Sequence, residues 1–202
     1  TGEKVPAQIA VCPELKLDNI DILNSIFLVL EDKALAFPQI DYQIYGILGF
    51  PVIEALREIQ ITRDGYFIVP KEETKNSSES NMAMNGLIPL IYINQRHFTF
   101  DTGADRTMFY HSYYIENQEE MDKYYKPEKI SFGGAAGKKE FEGYVITVNI
   151  NILDKEITLK DIQLLKEKIK DSETVYGNIG QDLIKQFHKM TMNFDRMFIK
   201  FD

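Results

Sequence analysis

Two stretches of this 202-residue chain repeat each other at a fixed spacing, and the repeat limits the available folds more than any other feature. Setting Gly46 on Gly177 defines an offset of 131 (177 − 46). At that offset Gly49 falls on Gly180, Ile53 on Ile184, Asp64 on Asp195, Phe67 on Phe198 and Ile68 on Ile199. Val52 against Leu183, Leu56 against Phe187 and Ile61 against Met192 keep their apolar character. Upstream, an offset of 136 pairs Ile9 with Val145, Leu17 with Leu153, Leu23 with Leu159, Ile26 with Ile162 and Leu28 with Leu164. The five-residue difference (136 − 131) is a longer loop in the first copy. An ungapped block that keeps both glycines and the apolar phase marks an internal repeat rather than convergence of two similar patterns.

The patterning is mostly that of strands and turns. Residues 4–17 partly alternate, with Ile9, Val11, Leu15 and Leu17 in one phase and a bend at Pro13. Asp18-Asn19 reads as a turn and 20–30 as a second strand region. Val52, Ile53, Leu56 and Ile59 have helical spacing. Segments 59–62 and 66–69 flank Arg63-Asp64-Gly65 as a β-hairpin. Residues 71–81 hold no apolar side chain, so they read as a flexible linker and a domain boundary. Beyond it, 86–93 and 96–100 form a hairpin through Asn94-Gln95. A helix is expected within 108–125, stopped by Pro127. Residues 130–137 read Ile-Ser-Phe-Gly-Gly-Ala-Ala-Gly, a Gly-rich stretch; strands follow at 141–153 and 157–165, then a short helix after Gly180 and a hairpin over 191–201.

Residues 98–108 read Phe-Thr-Phe-Asp-Thr-Gly-Ala-Asp-Arg-Thr-Met. Phe98 and Phe100 place two large apolar side chains on one face of a strand that ends on Asp101. Gly103 permits the torsions of a tight turn there. A carboxylate at the end of a buried strand needs hydrogen-bond donors; Thr102 and the amides of Gly103 and Ala104 are the nearest. A bare Asp-Thr-Gly also suits an Asx-type turn closing a hairpin. The apolar strand before it and the Ala-Asp-x-Thr after it point further. A haloacid-dehalogenase-type site would need a second carboxylate two residues after the first, where Gly103 stands, and an actin-like phosphate loop belongs near the start of a much longer chain.

In this setting the stretch resembles the active-site loop of aspartic peptidases, closest to the retropepsin-like branch. Two more motifs follow in the order of that family: the Gly-rich Phe132-Gly133-Gly134-Ala135-Ala136-Gly137, and Gly177-Asn178-Ile179-Gly180 entering a helix, with Ile47-Leu48-Gly49 as its first-copy counterpart. Asn178 replaces the family's aliphatic residue. The resemblance implies a mostly β fold with short helices, built of aspartic-protease (acid protease) β-barrel lobes related by a two-fold axis. Residues 1–70 would be the C-terminal half of a first lobe, 71–81 the linker and 82–202 a complete second lobe. It also implies peptide-bond hydrolysis by a water held between two carboxylates. Asp101 would supply one, with Thr102 and Gly103 fixing its orientation. Ala104 and Asp105, with Phe132, Gly133, Gly134 and Ala135 of a closing flap, would contact an extended peptide or unfolded protein substrate. Asp105 and Thr107 would also steady the loop.

The first copy starts at the position matching about Gly137, so it has no Asp-Thr-Gly loop of its own. Asp18, Asp41 and Asp64 are turn residues. The second carboxylate is therefore expected from a missing N-terminal segment of a longer protein, or from a homodimer in which each chain gives one Asp101. The alternative is a non-catalytic peptide- or protein-binding module on the same fold.

Composition narrows the partners. Net charge is −8, and no Lys/Arg cluster is interleaved with aromatics, which argues against a nucleic-acid surface. Apolar runs such as 26–30 are too short to span a bilayer. Cys12 stands alone, so no internal disulfide forms. The three scattered His give no metal-ligand spacing, and no metal or cofactor is expected. The chain opens at Thr1 without a signal-peptide pattern, which fits a processed or trimmed product. The family resemblance favours a secreted or periplasmic location; the unpaired Cys12 leaves the cytosol open.

Overall fold

A computed structural model describes residues 6–37, 41–75, 80–134, 137–152, 155–171 and 173–202. The chain is mostly β with a few short helices. It divides into two compact units, one made of residues 1–55 with 131–139 and the other of 56–130 with 140–202.

The first unit opens with a ribbon of two long antiparallel strands, β1 (Gln8–Leu17) and β2 (Ile20–Val29). Its register puts Ile9 opposite Leu28, Val11 opposite Ile26, Leu15 opposite Ile22 and Leu17 opposite Ile20. Side chains alternate across a strand, but Asn24 at positive φ interrupts the phase: Leu15, Leu17, Ile20 and Ile22 are half-buried, whereas Ile9, Val11, Ile26 and Leu28 are exposed. A 3-10 turn (Asp32–Leu35) leads into the short pair β3 (Ala36–Phe37) and β4 (Tyr42–Gln43). Helix α1 (Phe50–Ala55) then starts with Pro51 in its first turn, where a missing N–H costs nothing. Gly49 O accepts from Val52 N (3.1 Å) and Ile53 N (3.3 Å). The helix is shorter than the spacing to Ile59 implies, because Ile59 belongs to the following strand.

The second unit contains β5 (Glu58–Thr62), β6 (Phe67–Ile68), β7 (Met82–Asn85), β8 (Ile88–Ile93), β9 (Arg96–Phe100), β10 (Met108–Phe109), α2 (His111–Glu116) and α3 (Gln118–Tyr124). Then come β11 (Glu128–Gly134), β12 (Gly137–Ile152), β13 (Lys155–Leu165), β14 (Gly177–Ile179), α4 (Gln181–Ile184), β15 (Lys189–Asn193) and β16 (Phe198–Phe201). β11 and the start of β12 carry residues 131–139 into the first unit. The turn between β8 and β9 has Asn94 and Gln95 both at positive φ, as a two-residue hairpin turn requires. Gly86, expected inside a strand, instead makes the β7–β8 turn at φ +62°. An eight-stranded sheet runs in the order β11-β12-β13-β10-β14-β9-β8-β7. Ile146, Leu159, Ile162, Leu164, Ile179 and Phe98 lie in its core.

A four-stranded sheet, β16-β15-β5-β6, joins the two copies of the repeat. β5 and β15 pair antiparallel with Gln60 opposite Thr191, the two positions that the offset of 131 makes equivalent (191 − 60). Glu58 faces Asn193 and Thr62 faces Lys189; since 58 + 131 = 189 and 62 + 131 = 193, exchanging the copies leaves the ladder unchanged. The seam therefore has a local two-fold between Gln60 and Thr191. The hairpins beyond it differ by one residue. Thr62 N donates to Tyr66 O (3.0 Å), enclosing three residues, whereas Asn193 pairs with Phe198, enclosing four. In space Phe67 thus matches Ile199, not Phe198 as the ungapped alignment has it. The upstream offset also shifts: Leu17 closes its turn on Ile20 and Ile152 closes its own on Lys155, an offset of 135 rather than 136.

Residues 71–75, read as flexible, are held by side chains. Glu58 is buried and accepts from Thr74 N (3.0 Å), Thr74 Oγ1 (2.5 Å) and Asn193 Nδ2 (2.7 Å). Glu73 pairs with Arg196 at 2.6 Å. Burial pushes the Glu58 carboxyl up, but these hydrogen bonds outweigh it and hold it below the usual carboxylate range.

Candidate active site

The Asp101 loop is a consequence of strand order. β9 runs parallel to β14, and β10 runs antiparallel to β14 on its other side. The chain must therefore cross over the C-terminal end of β14 between Phe100 and Met108. Residues 101–107 make that crossing.

Phe98 and Phe100 anchor β9 in the core, and Asp101 follows at the exposed end of the strand. Asp101 N donates to Ile179 O (3.0 Å), extending the β9–β14 ladder by one bond. Its carboxylate Oδ1 accepts from Gly103 N (2.9 Å). Of the three donors expected, only this amide reaches the carboxylate. Ala104 N turns to the Asp101 carbonyl (3.2 Å), and among the described residues the Thr102 side chain does not bond the carboxylate. Among the described residues Asp101 Oδ2 has no partner, and solvent reaches it.

The rest of the loop is tied to the β14–α4 junction. Thr102 O accepts from Gln181 Nε2 (2.6 Å) and Ala104 O from Gln181 N (2.9 Å). Thr107 is buried; its N–H and hydroxyl both donate to Asp182 Oδ1 (2.7 Å each), and its oxygen accepts from Gly180 N (3.1 Å). Asp182 Oδ1 also takes Leu183 N at 2.9 Å, in the first turn of α4. Two glycines let the backbones touch. A Cβ on Gly180 would lie 2.6 Å from the Arg106 carbonyl carbon, and one on Gly177 2.4 Å from Met108 O. Their first-copy counterparts are not confined: Gly46 has nothing within 4 Å and Gly49 only Pro51 Cδ at 3.8 Å.

Gln181 and Asp182 were not legible as loop partners, although an acidic residue just after Gly180 at a helix start is a capping signal. Asp105 is exposed, with no hydrogen bond or ion pair to its carboxylate among the described residues. Beneath the loop Thr99 Oγ1 donates to Asn178 Oδ1 (2.6 Å). Tyr110, at the far end of β10, is buried, and burial pushes its phenol up to about 12. Phe132, Gly133 and Gly134 belong to β11. Ala135 and Ala136 lie outside the described residues.

No family model, curated protein or solved structure matches the chain. Among the described residues no three His, Cys, Asp or Glu side chains group as metal ligands, and no helix is long and apolar enough to cross a membrane.

Proposed function

We propose that this chain carries half of the catalytic apparatus of a retropepsin-like aspartic endopeptidase, with Asp101 as one of two carboxylates. The observation that carries the reading is the contrast within one loop. The polar groups of Thr102, Ala104 and Thr107 are fixed by Gln181, Asp182 and Gly180, while Asp101, anchored through Oδ1 by Gly103 N, keeps Oδ2 without a partner among the described residues. A rigid crossover that leaves one carboxylate oxygen unengaged is preorganised for a reactant. The two-fold seam through Gln60 and Thr191 adds a symmetry on which a second such loop would face the first.

Two carboxylates brought together cannot both ionise at neutral pH, so they share one proton and titrate as a pair. The ionised member takes a proton from water as its oxygen attacks the scissile carbonyl carbon. The protonated member donates to the carbonyl oxygen, and a proton then passes to the leaving amine. The second carboxylate comes from the first copy's equivalent of the Asp101 loop. Residues 1–70 would be the matching half of the first lobe.

A peptide whose scissile amide is replaced by a statine-type hydroxyl tests this. Tight binding between pH 3 and 5 that is lost in Asp101→Asn is the expected result. A peptide-binding module without catalysis, the second reading, would bind ordinary and statine peptides equally and ignore Asp101→Asn. It is favoured by the single Asp-Thr-Gly loop within residues 1–202.

A further inference from the structure

Residues 71–75 lie on the connection from β6 of the first copy to β7 of the second, and they carry no apolar side chain that could bury them on the seam. What holds them is polar. Thr74 N donates to Glu58 Oε2 at 3.0 Å and Thr74 Oγ1 to Glu58 Oε1 at 2.5 Å, while Gln60 Nε2 donates to Thr74 Oγ1 at 3.0 Å. Glu73 pairs with Arg196 at 2.6 Å and accepts from Asn193 Nδ2 at 3.2 Å. That same Nδ2 donates to Glu58 Oε2 at 2.7 Å. Two carboxylates, one on the sheet and one on the connection, thus meet at a single amide.

Glu58 is buried, and among the described residues each of its partners is a neutral donor: a backbone N–H, a hydroxyl and the amides of Asn193 and Gln60. Such bonds are strong only while the carboxylate is ionised. A protonated carboxyl loses an acceptor position and brings a hydrogen of its own. The Thr74 hydroxyl can turn to accept that hydrogen; the Thr74 N–H cannot. Nor can Asn193 exchange its amide ends, because its Oδ1 accepts from Arg196 N at 2.7 Å. The other charges around Glu58 are Glu73 on the connection, Asp195 and Arg196 on the β15–β16 turn, and Arg57 beside Glu58 in sequence. Both arginines are engaged elsewhere, Arg57 with Asp195 and Arg196 with Glu73, at 2.6 Å each. Lys71, Glu72 and Lys75 are exposed. The seam beneath has a different support: Ile59, Met190, Met192 and Ile199 are buried in it, and none of them titrates.

We propose that residues 71–75 are an acid-released strap, pinned to the β5–β15 seam while Glu58 and Glu73 are ionised and freed when they are protonated, with the seam itself left standing. The strap belongs to the covalent link between the two copies of the repeat. Its release loosens that link without opening the sheet that joins them. The sign follows from Glu58, whose carboxyl is held below the usual range in the folded protein, though burial opposes this. The strap is fully pinned above the unfolded pKa and lets go as pH falls through the lower folded value, below about pH 4. The device does not involve Asp101 and stands apart from the peptidase reading.

The test is an amide NMR titration of the full chain from pH 7 to pH 3. At pH 7 the heteronuclear NOE of Glu73 and Thr74 is that of rigid backbone. It falls to that of a mobile loop below about pH 4, while the Ile59, Thr191 and Met192 amides keep their native shifts. Thr74→Ala removes one donor from the carboxylate and moves the release upward by about one pH unit. Glu58→Gln frees the strap already at pH 7, read as trypsin cleavage after Lys71 that is faster on the order of tenfold. A strap that stays rigid to pH 3 on an intact seam overturns the proposal, and so does loss of strap and seam in one transition. Unchanged trypsin cleavage in folded Glu58→Gln overturns it too. Where Glu58→Gln fails to fold, Thr74→Ala decides, and an unchanged release pH there is equally fatal.

Discussion

The ribbons β1–β2 and β12–β13 are the same sequence pattern in opposite circumstances. Ile162 and Leu164 of the second copy are fully buried, whereas Ile26 and Leu28, set against them only by the sequence offset of 136, are 68% and 70% exposed and the neighbouring Ser25 is buried instead. β13 has β12 on one side and β10 on the other; among the described residues β2 pairs with β1 alone. The apolar phase of a strand therefore does not by itself decide which side chains are buried; neighbouring strands and the positive φ at Asn24 decide it too. A two-stranded ribbon has too little surface to hide its own apolar face. The glycines follow the same rule. Gly180 and Gly177 are pressed against the Asp101 loop, whereas among the described residues nothing lies within 4 Å of a Cβ on Gly46 and only Pro51 Cδ near one on Gly49.

Four substitutions probe this contrast. Ile162→Ala removes a fully buried side chain and is expected to lower unfolding free energy by about 2–5 kcal/mol in urea titration. Ile26→Ala should stay within about 0.5 kcal/mol. Equal losses would mean that the first-copy ribbon is packed in solution. Gly180→Ala forces a methyl into Arg106 and Ala104 backbone atoms and should lose about 1–3 kcal/mol. Gly49→Ala should be near neutral, and a comparable loss there would show a loop already covering it.

Glu58→Gln sharpens the contrast at the seam, because its counterpart Lys189 pairs with Asp202 at 3.5 Å near the surface. Glutamine turns an amide toward donors on Thr74 and Asn193, so about 1–3 kcal/mol should be lost. The pH dependence has a definite sign. Glu58 has its pKa depressed in the folded state, so its contribution is present above the unfolded pKa and fades as pH falls through the folded value. The Glu58→Gln deficit should therefore be largest near neutral pH and shrink below about pH 4. A constant deficit down to pH 2 would contradict the bonding described. Asp101→Asn should change stability least, within about 0.5 kcal/mol, since Asp101 is exposed and an amide oxygen can still accept from Gly103 N.

Short-range chemistry made much of this readable in the sequence. Asn94-Gln95 and Arg63-Asp64-Gly65 mark hairpins because positive φ is needed there, and alternation at Phe98 and Phe100 places a strand ending on Asp101. Other features depend on partners far along the chain. Thr107 and Asp182 are 75 residues apart (182 − 107), and Glu58 and Asn193 are 135 apart (193 − 58); no periodicity links them. For the same reason residues 71–75 read as a free linker, though two of them are bonded to the seam. The repeat located the two-fold pair Gln60 and Thr191, but the ungapped alignment could not register the one-residue difference in hairpin length.

The most direct measurement is cleavage of a denatured protein between pH 3 and 7 by the polypeptide carrying both copies of the repeat, with and without Asp101→Asn. The expected result is a loss on the order of 10²–10⁴-fold in rate, with the unfolding midpoint unchanged. Cleavage that is equal in the two proteins, or absent from both while the statine peptide fails to bind, would contradict the assignment of Asp101 as half of a catalytic pair.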